Sequence, residues 1–200
     1  MPRSDYMRIQ NELNWNMRVA LIHSIVDIHG MLKMFPETLF LTMNIVDRLL
    51  SKKPVAKSKL ELVGLAALFI ASKYEDALAP SVGNYTLLAK NHYTEEDIMK
   101  AEISILQILD YKLSYPNPMN FLRRNSRADN SNSKSRTLAK YLMEVTLLDY
   151  NFISCKPSMI AAASFYVARV FLNHGEWVRN EKMSFLFYFL FLFLFFFKKK

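Results

Sequence analysis

The sequence predicts an all-α fold, and three observations support that prediction. The chain has 200 residues, of which 52% are hydrophobic, and this is enough for a packed core. It contains only four glycines, whereas the hairpins and bulges of sheet-rich proteins consume many turn residues. The segment from Leu60 to Ala71 is apolar on every side, so we expect a helix that is buried inside a bundle.

Five helical patterns follow one another between residues 15 and 115. The first is predicted over Asn16–Met31, and the second begins at Pro36, whose ring suits the first turn of a helix. The basic turn SKKPV separates the second helix from the buried central one, for which Ser58 is a candidate N-cap. A shorter fourth helix is predicted over Ser81–Lys90.

The fifth helix is indicated by Thr94 and Asp97, which have the spacing of a capping box. An apolar stripe at helical spacing follows them, and it consists of Ile98, Ile105, Leu106 and Leu109. Five helices over residues 15–115 make a complete small domain, and residues 1–14 are a lead-in to it.

The segment YPNPMN carries two prolines and marks the start of a second domain over residues 116–180. Beyond these prolines the pattern predicts a short helix through FLRR and a polar loop, RADNSNSKS. Two longer helices are then expected, over Arg136–Tyr150 and Pro157–Leu172.

Six segments, spread over most of the chain, carry a specific resemblance. They are YMRIQNELNWNMR, ETLFLTMNIVDRLLS, KLELVGLAALFIASKYED, YTEEDIMKAEISILQILDYKLSYPNPMNFLRR, AKYLMEVTLLDYNF and PSMIAAASFYVARVFL. Together they resemble the cyclin box of B-type, G2/mitotic cyclins, and PNPMNFLRR is similar to fungal members. The resemblance implies a cyclin fold and a regulatory subunit that forms a heterodimer with a cyclin-dependent kinase.

The resemblance also implies a second fold that is incomplete. In the cyclins that the chain resembles, two five-helix folds follow one another. Only three helices are predicted here after the YPNPMN segment. The long N-terminal region of mitotic cyclins has no counterpart before the box, so the chain is expected to be short at that end too. An incomplete fold should leave apolar side chains partly uncovered, namely Ala161, Phe165, Ala168 and Val170.

Residues 181–200 form a hydrophobic low-complexity tail that ends in lysines. Its run Phe185–Phe197 would be about 20 Å long as a helix, whereas a bilayer core is about 30 Å thick, so a membrane span is not favoured. Three interpretations stay open: an artefact of gene prediction, a hydrophobic membrane tail, or a core helix.

The polar residues argue against an enzyme. Cys155 is the only cysteine, which fits a reducing compartment and predicts a nuclear and cytoplasmic location. The glycines are isolated, so they form no phosphate-binding loop, and the histidines lack metal-binding spacing. His23 and Ser24 point about 100° apart on a helix, which is unsuited to a nucleophile and its base. No catalysis, metal or cofactor is therefore expected.

Two pairs of opposite charges lie on predicted helices. Arg18 and Asp47 stand among apolar residues, where a charge is tolerable only when paired, so we expect a buried structural ion pair. Lys73 ends the central helix and Glu102 lies midway along the fifth, and a purely structural pair is one interpretation. The cyclin resemblance implies instead that both contact the kinase. It also implies three flanking apolar contacts: Tyr74, Leu109 and Tyr111.

The first helix carries a face that forms a docking groove for Arg-x-Leu peptides in cyclins. The residues at this face and at the start of the central helix are Met17, Leu21, Ser24, Leu60 and Glu61. Where the resemblance implies an aspartate–tryptophan pair, this chain has His23 and Ser24. Where it implies an isoleucine, this chain has Ala20. The groove is therefore predicted to be degraded and to bind such peptides weakly.

Part of the net charge of +8 comes from a basic cluster after the boundary. Arg136 and Lys140 share a helix face at i, i+4, and Arg123 follows the turn that folds back toward that helix. Three converging cations would bind one phosphate group, so phosphorylated partners are predicted rather than DNA. Solvated charges on a connector are the alternative.

Three interpretations of function remain. A kinase-activating subunit in G2/M control is favoured by the presence of both Lys73 and Glu102. The similarity of the quoted segments to B-type cyclins favours it too. A cyclin-fold scaffold that activates no kinase, as in general transcription initiation factors, is the second. A non-functional truncated cyclin is the third.

Overall fold

A computed structural model of the chain describes residues 1–129 and 133–173, and within these ranges it contains helices and turns but no strand. Its α-helices are α1 (Trp15–Met31), α2 (Pro36–Leu50), α3 (Leu60–Glu75), α4 (Val82–Leu88), α5 (Glu95–Ile108), α6 (Pro118–Ala128), α7 (Ser133–Thr146) and α8 (Pro157–Phe171). Short 3-10 turns lie at Tyr6–Ile9, Lys57–Lys59 and Tyr150–Phe152. The all-α prediction is confirmed. The tail at 181–200 lies outside the described residues.

Two helices begin at residues whose side chains cap the backbone. The Asn14 side chain accepts a hydrogen bond from the Met17 amide at 3.0 Å, so α1 begins at Trp15, one residue earlier than predicted. The Thr94 hydroxyl accepts from the Asp97 amide at 3.1 Å, and the Asp97 carboxylate accepts from the Thr94 amide at 3.0 Å. The predicted capping box of α5 is therefore present.

Two predicted helix boundaries of the first domain are wrong. Ser58 is not an N-cap, because Lys57–Lys59 form a 3-10 turn and α3 starts at Leu60 without a side-chain cap. The fourth helix is shorter than predicted, since α4 ends at Leu88 and Lys90 has a left-handed backbone with φ of 53°.

The helices after the prolines also differ from their predicted lengths. α6 continues beyond FLRR to Ala128, because Met119, Leu122 and Ser126 recur on one buried face. α7 begins at Ser133 and ends before Tyr150, which lies in a separate 3-10 turn. Residues 130–132 of the predicted polar loop lie outside the described residues.

The chain divides into two compact units, and their boundaries differ from those of the predicted domains. The first unit contains residues 1–117 together with Leu147–Cys155, the segment that connects α7 to α8. The Leu147 carbonyl accepts a hydrogen bond from Arg18 Nη1 at 2.7 Å. Tyr150 stacks on Trp15 with 4.7 Å between ring centroids. These contacts explain why a segment from the second half of the sequence belongs to the first unit.

The first unit is built around α3, which packs against α1, α2 and α5. Ala66 and Ala67 are completely buried, and such small residues let neighbouring helices approach closely. At Gly64 an added Cβ would lie 2.6 Å from Leu21 Cδ1, so a side chain there would displace Leu21. The predicted buried central helix is therefore confirmed.

In the second unit α8 packs against both α6 and α7. The expectation that Ala161, Phe165 and Ala168 are partly uncovered is wrong, because all three are completely buried. Val170 is 47% exposed, as a residue on the outer face of α8 would be. Most of the apolar face that was expected to be open is therefore buried.

Arg18 lies at the centre of a buried polar network in the first unit. Its Nε and Nη2 atoms donate to the two carboxylate oxygens of Asp47, each at 2.8 Å. The Tyr6 hydroxyl donates to the same carboxylate at 2.8 Å. Arg18 is 2% exposed and Asp47 is 5% exposed, so the predicted buried ion pair is present. Tyr6 belongs to the predicted lead-in, which is therefore an integral part of the core.

The pKa shifts of Arg18 and Tyr6 keep both groups protonated at neutral pH. Burial alone would lower the pKa of Arg18, but the Asp47 carboxylate outweighs it and raises the pKa above its ordinary value. Burial, and then the negative charge of Asp47, raise the pKa of the Tyr6 hydroxyl. Arg18 therefore stays charged and Tyr6 stays a hydrogen-bond donor.

Replacing Arg18 by alanine is expected to lower the free energy of unfolding by about 3–5 kcal/mol, because the Asp47 carboxylate would stay buried without its partner. Tyr6→Phe removes one hydrogen bond and is expected to cost about 1 kcal/mol. Urea unfolding followed by circular dichroism measures both. Lys100→Ala is the control, since its ion pair with Glu96 is exposed. Equal losses in Arg18→Ala and Lys100→Ala would contradict this account.

Candidate functional site

Lys73 and Glu102 meet at the surface of the first unit. Lys73 lies in the last turn of α3, and its ammonium forms an ion pair with the carboxylate of Glu102, midway along α5. The same ammonium lies 4.0 Å from the centre of the buried Phe69 ring, a favourable cation–π distance. The Lys73 side chain is 42% exposed and that of Glu102 is 14% exposed, so a partner protein has access to the pair.

Two of the three predicted apolar neighbours of this pair are exposed. Tyr74 is adjacent to Lys73 in the chain and is 54% exposed, and Tyr111, just after α5, is 66% exposed. Leu109, in contrast, is completely buried in the core. It follows α5 directly and belongs to the same buried core as Ile105, so it is not part of the exposed surface, and its role as a kinase contact stays a prediction.

Two residues of α5 that were not predicted as part of the site, Met99 and Ile103, lie beside Glu102. They recur with Leu106 of the predicted apolar stripe at i, i+4 and i+7, so the three share a face of the helix. Met99 and Ile103 are exposed, and Leu106 is half-buried. The signal in the sequence was the pair of apolar residues Met99 and Ile103, which lie on a different face of α5 from the buried Ile98 and Ile105. We define the α3–α5 surface as Lys73, Tyr74, Met99, Glu102, Ile103 and Tyr111.

The exposure of Tyr111 is set by the backbone at the end of α5. Asp110 and Tyr111 both adopt the left-handed conformation, with φ of 54° and 56°. The Tyr111 amide donates to the Leu106 carbonyl at 2.9 Å, which closes the helix in the manner of a Schellman motif. For residues other than glycine this conformation costs roughly 1–2 kcal/mol each, so the turn needs support from its surroundings.

Arg48 of α2 and Lys52, which follows that helix, supply that support. Lys52 Nζ donates to the Ile108 carbonyl at 2.8 Å, and Arg48 Nη2 donates to the Lys112 carbonyl at 2.7 Å. Positive charge is favourable at the carbonyl end of a helix. The two side chains therefore fix the end of α5 and the turn that presents Tyr111.

The last turn of α3 is held in place by Asp76. Its carboxylate accepts hydrogen bonds from the Phe35 amide and the Thr38 hydroxyl, both at 2.8 Å. These bonds tie the end of α3 to the start of α2. Lys73 and Tyr74 are thereby presented on a rigid element.

The predicted docking groove contains side chains of very different exposure. Leu21 and Leu60 are buried, Met17 and Ser24 are half-buried, and Glu61 is exposed. Leu21 is packed against Gly64, where α1 approaches α3 closely. Ser24 supplies none of the aromatic surface that the resemblance leads one to expect at this face.

The second unit contains a basic cavity of about 310 Å³. All three predicted phosphate-binding residues line it: Arg123 from α6, and Arg136 and Lys140 from α7. Arg127, one turn after Arg123, lines it too, and Met119 and Thr137 complete the lining. Arg127 was missed because α6 was predicted to end soon after FLRR. We call this cavity the α6–α7 pocket.

The charged residues described around the α6–α7 pocket are all basic. No carboxylate is among the lining residues that the structure describes. Lys140 lies 3.7 Å from the carboxylate of Glu144, one turn away on α7, and Arg123 donates to the Asn120 side chain at 2.9 Å. Both of these contacts are local to a helix.

Within residues 1–129 and 133–173, no helix is long and apolar enough to cross a membrane. The same ranges hold no group of three or more His, Cys, Asp or Glu residues arranged for a metal ion. Burial, and then the charge of Asp149, raise the pKa of the Cys155 thiol.

Sequence comparison gives the relationship of the chain to known families. The profile of the cyclin N-terminal domain matches residues 1–114, and that of the cyclin C-terminal domain matches residues 116–185. The chain belongs to the cyclin family. The first match includes residues 1–14 of this cyclin, in agreement with the burial of Tyr6 in the core.

This cyclin is similar to G2/mitotic-specific cyclins of fungi. It is 49% identical over 177 residues to G2/mitotic-specific cyclin-B of Emericella nidulans. It is 49% identical over 180 residues to G2/mitotic-specific cyclin cdc13 of Schizosaccharomyces pombe. The matches cover 88% and 90% of this chain but 37% of each relative, so this cyclin spans little more than a third of their length. The predicted resemblance to fungal B-type cyclins is confirmed.

Solved structures agree with this cyclin in fold. A viral cyclin from herpesvirus saimiri matches with a TM-score of 0.77 and 20% identity, covering 90% of this chain and 78% of the viral one. A chain of the yeast RNA Pol II CTD kinase CTDK-1 complex matches with a TM-score of 0.71 and 16% identity, covering 86% and 60%. At these identities the likeness establishes the cyclin fold alone.

Proposed function

We propose that this cyclin is the regulatory subunit of a cyclin-dependent kinase, which it binds as a heterodimer and activates in G2/M cell-cycle control. The observation that carries the proposal is the α3–α5 surface. There an accessible Lys73–Glu102 pair is flanked by the exposed side chains of Tyr74, Ile103 and Tyr111. The similarity to fungal G2/mitotic cyclins supports the same assignment.

The chemistry of the α3–α5 surface suits a protein interface. Tyrosine and methionine are enriched in interfaces, and large apolar side chains clustered on a rigid surface mark sites of association. The hydrogen bonds of Asp76, Arg48 and Lys52 hold this surface in shape before a partner arrives. Preorganisation of this kind reduces the entropy that is lost on binding.

In this proposal the chain binds and does not catalyse. The kinase supplies the groups for phosphoryl transfer, and this cyclin favours the kinase conformation to which its α3–α5 surface binds best. We further propose that the heterodimer acts in the nucleus and cytoplasm, which the single cysteine of the chain is consistent with. Fluorescence microscopy of the tagged full chain tests that location, and an exclusively secreted or membrane-bound signal would refute it.

Lys73→Ala and Glu102→Ala are each expected to weaken kinase binding by tens-fold, or at least about 1.4 kcal/mol. The reason is that each change leaves the other charge unpaired inside the complex. Both residues are partly exposed in the free chain, so helical circular dichroism should be unchanged. Surface plasmon resonance with an immobilised cyclin-dependent kinase, combined with a histone phosphorylation assay, measures the effect.

Lys100→Ala is the matched control for this experiment, because Lys100 also pairs with a glutamate but on the solvent face of α5. It should bind the kinase as tightly as the parent. Parental affinity in Lys73→Ala and Glu102→Ala would sink the assignment of the surface. A parent chain that binds no kinase would favour a scaffold without kinase activation.

We also infer that the α6–α7 pocket binds phosphate groups of phosphorylated partners. Arg123, Arg127, Arg136 and Lys140 line one cavity, and arginine offers the bidentate geometry that phosphate oxygens accept. A single concave site of this size suits one phosphate rather than the regularly spaced phosphates of duplex DNA.

Arg136→Glu combined with Lys140→Glu is expected to abolish retention of a phosphoserine peptide, because it reverses the charge of two pocket residues. Kinase affinity should be unchanged. Arg124→Glu with Lys134→Glu is the control, since it makes the same change in net charge at residues outside the pocket. Fluorescence anisotropy with the peptide and its unphosphorylated form measures the effect. Binding of duplex DNA but not of the phosphopeptide at physiological salt would refute the inference.

The groove formed by α1 and α3 is expected to bind Arg-x-Leu peptides weakly. A tryptophan buries about 150–250 Å², and its absence at Ser24 forfeits several kcal/mol at about 25 cal/mol per Å². Isothermal titration with an Arg-x-Leu peptide should give no dissociation constant in the micromolar range. The Ser24→Trp variant should bind the peptide more tightly than the parent. Micromolar affinity of the parent would show that the remaining residues suffice.

A further inference from the structure

A second concave surface of the first unit has no part in the proposed function. It is a cleft of about 250 Å³ between the turn that joins α2 to α3 and one face of α5. Its walls are mostly apolar and include Leu49, Val55, Leu62, Val63, Ile105 and Ile108. Two exposed lysines, Lys53 and Lys59, also line it. We call it the α2–α5 cleft.

Helix geometry separates this cleft from the α3–α5 surface. α5 contributes Ala101, Ser104, Ile105 and Ile108 to the cleft, at i, i+3, i+4 and i+7. With 3.6 residues per turn, this set is centred roughly 160° around the helix from the face that carries Glu102 and Ile103. A partner on the α3–α5 surface therefore leaves the cleft open.

The turn beside the cleft is cationic. Lys52, Lys53, Lys57 and Lys59 follow one another in it, and the sequence between Arg48 and Leu60 contains no acidic residue. Lys52 is already engaged with Ile108 and Asp110. Lys59 also influences Asp97, whose pKa is lowered first by its hydrogen bonds with Thr94. No Asp or Glu lines the cleft itself, so its complement is an acidic ligand.

Hydrogen bonds also fix the turn between α2 and α3 in the unliganded chain. The Gln10 amide donates to the carbonyls of Leu50 at 2.7 Å and Lys53 at 2.9 Å, and its oxygen accepts from the Val55 amide at 2.9 Å. The Lys57 amide donates to the Glu12 carboxylate at 2.9 Å. These bonds hold the apolar wall and its lysines in one geometry.

We propose that the α2–α5 cleft binds a short acidic peptide of a partner protein, with one large apolar side chain inserted between carboxylates. A cavity of about 150 Å³ holds a benzene molecule, so the cleft has room for a phenylalanine ring. The flanking carboxylates pair with Lys53 and Lys59. This site brings the partner to the heterodimer without competing with the kinase.

The probe is a fluorescein-labelled peptide in which one phenylalanine is flanked on each side by three glutamates, titrated with the full chain and followed by anisotropy. Binding should weaken at least about tenfold when alanine replaces the phenylalanine of the peptide. The same loss is expected for Ser104→Trp, which fills the cleft from an exposed position, and for Lys53→Glu with Lys59→Glu. Lys100→Glu with Lys112→Glu changes the net charge equally outside the cleft and should leave the affinity unchanged.

If the alanine peptide binds as tightly as the phenylalanine peptide, the apolar anchor has no role and the proposal is overturned. If Lys100→Glu with Lys112→Glu weakens binding as much as Lys53→Glu with Lys59→Glu, the interaction is diffuse charge attraction, which also overturns it. Full binding by a folded Ser104→Trp variant, or no binding by the parent, would overturn it too. If the parent chain forms a dimer and the Ser104→Trp variant does not, the cleft binds a second copy of the chain and the proposal is overturned. No kinase is needed for the titration, so a failure here leaves the proposed function standing.

Discussion

The buried guanidinium of Arg18 is the interaction on which the first unit of this cyclin depends. It joins three distant parts of the chain, because it contacts Asp47 of α2 and the Leu147 carbonyl, while Tyr6 donates to the same carboxylate. A charge so deeply buried is tolerable only while its partners stay in place. The network therefore makes α1, α2, the N-terminal turn and the segment before α8 mutually dependent. Since Arg48 of α2 and Lys52, just after that helix, hold the end of α5, the surface proposed to bind the kinase depends on the same network.

The three surfaces proposed to bind partners differ in chemistry, and the difference follows from where each lies on its helices. The α3–α5 surface combines exposed aromatic and aliphatic side chains with a single ion pair, which suits a large protein interface. The α2–α5 cleft is a small apolar cavity beside lysines, which suits one anchor residue of an acidic peptide. The α6–α7 pocket is polar and cationic, which suits one phosphate group. A single helix, α5, serves two of these surfaces because its opposite faces are both partly exposed.

The all-α architecture was predictable because the sequence of α3 is apolar on all sides. A helix of that composition has to be buried inside a bundle. The Arg18–Asp47 pair was predictable for a similar reason, since each charge stands among apolar residues and requires a partner. Tyr6 was missed because its hydrogen bond to Asp47 spans 41 residues, and no local pattern encodes such a contact. Leu109 is buried because it continues the apolar stripe of Ile98 and Ile105, whereas its role as a kinase contact was inferred from the family resemblance alone. Periodicity gives the faces of a helix, but tertiary packing decides which face is covered.

Hydrogen–deuterium exchange of this cyclin, alone and with a cyclin-dependent kinase, tests the central claim most directly. The account predicts slower exchange on kinase binding in two places, the last turn of α3 around Lys73 and the stretch from Met99 to Tyr111. Exchange in the α2–α3 turn and at the start of α3 should stay the same, because those residues face away from the proposed interface. Protection confined to the α2–α3 turn, or no protection anywhere, would contradict the assignment of the α3–α5 surface.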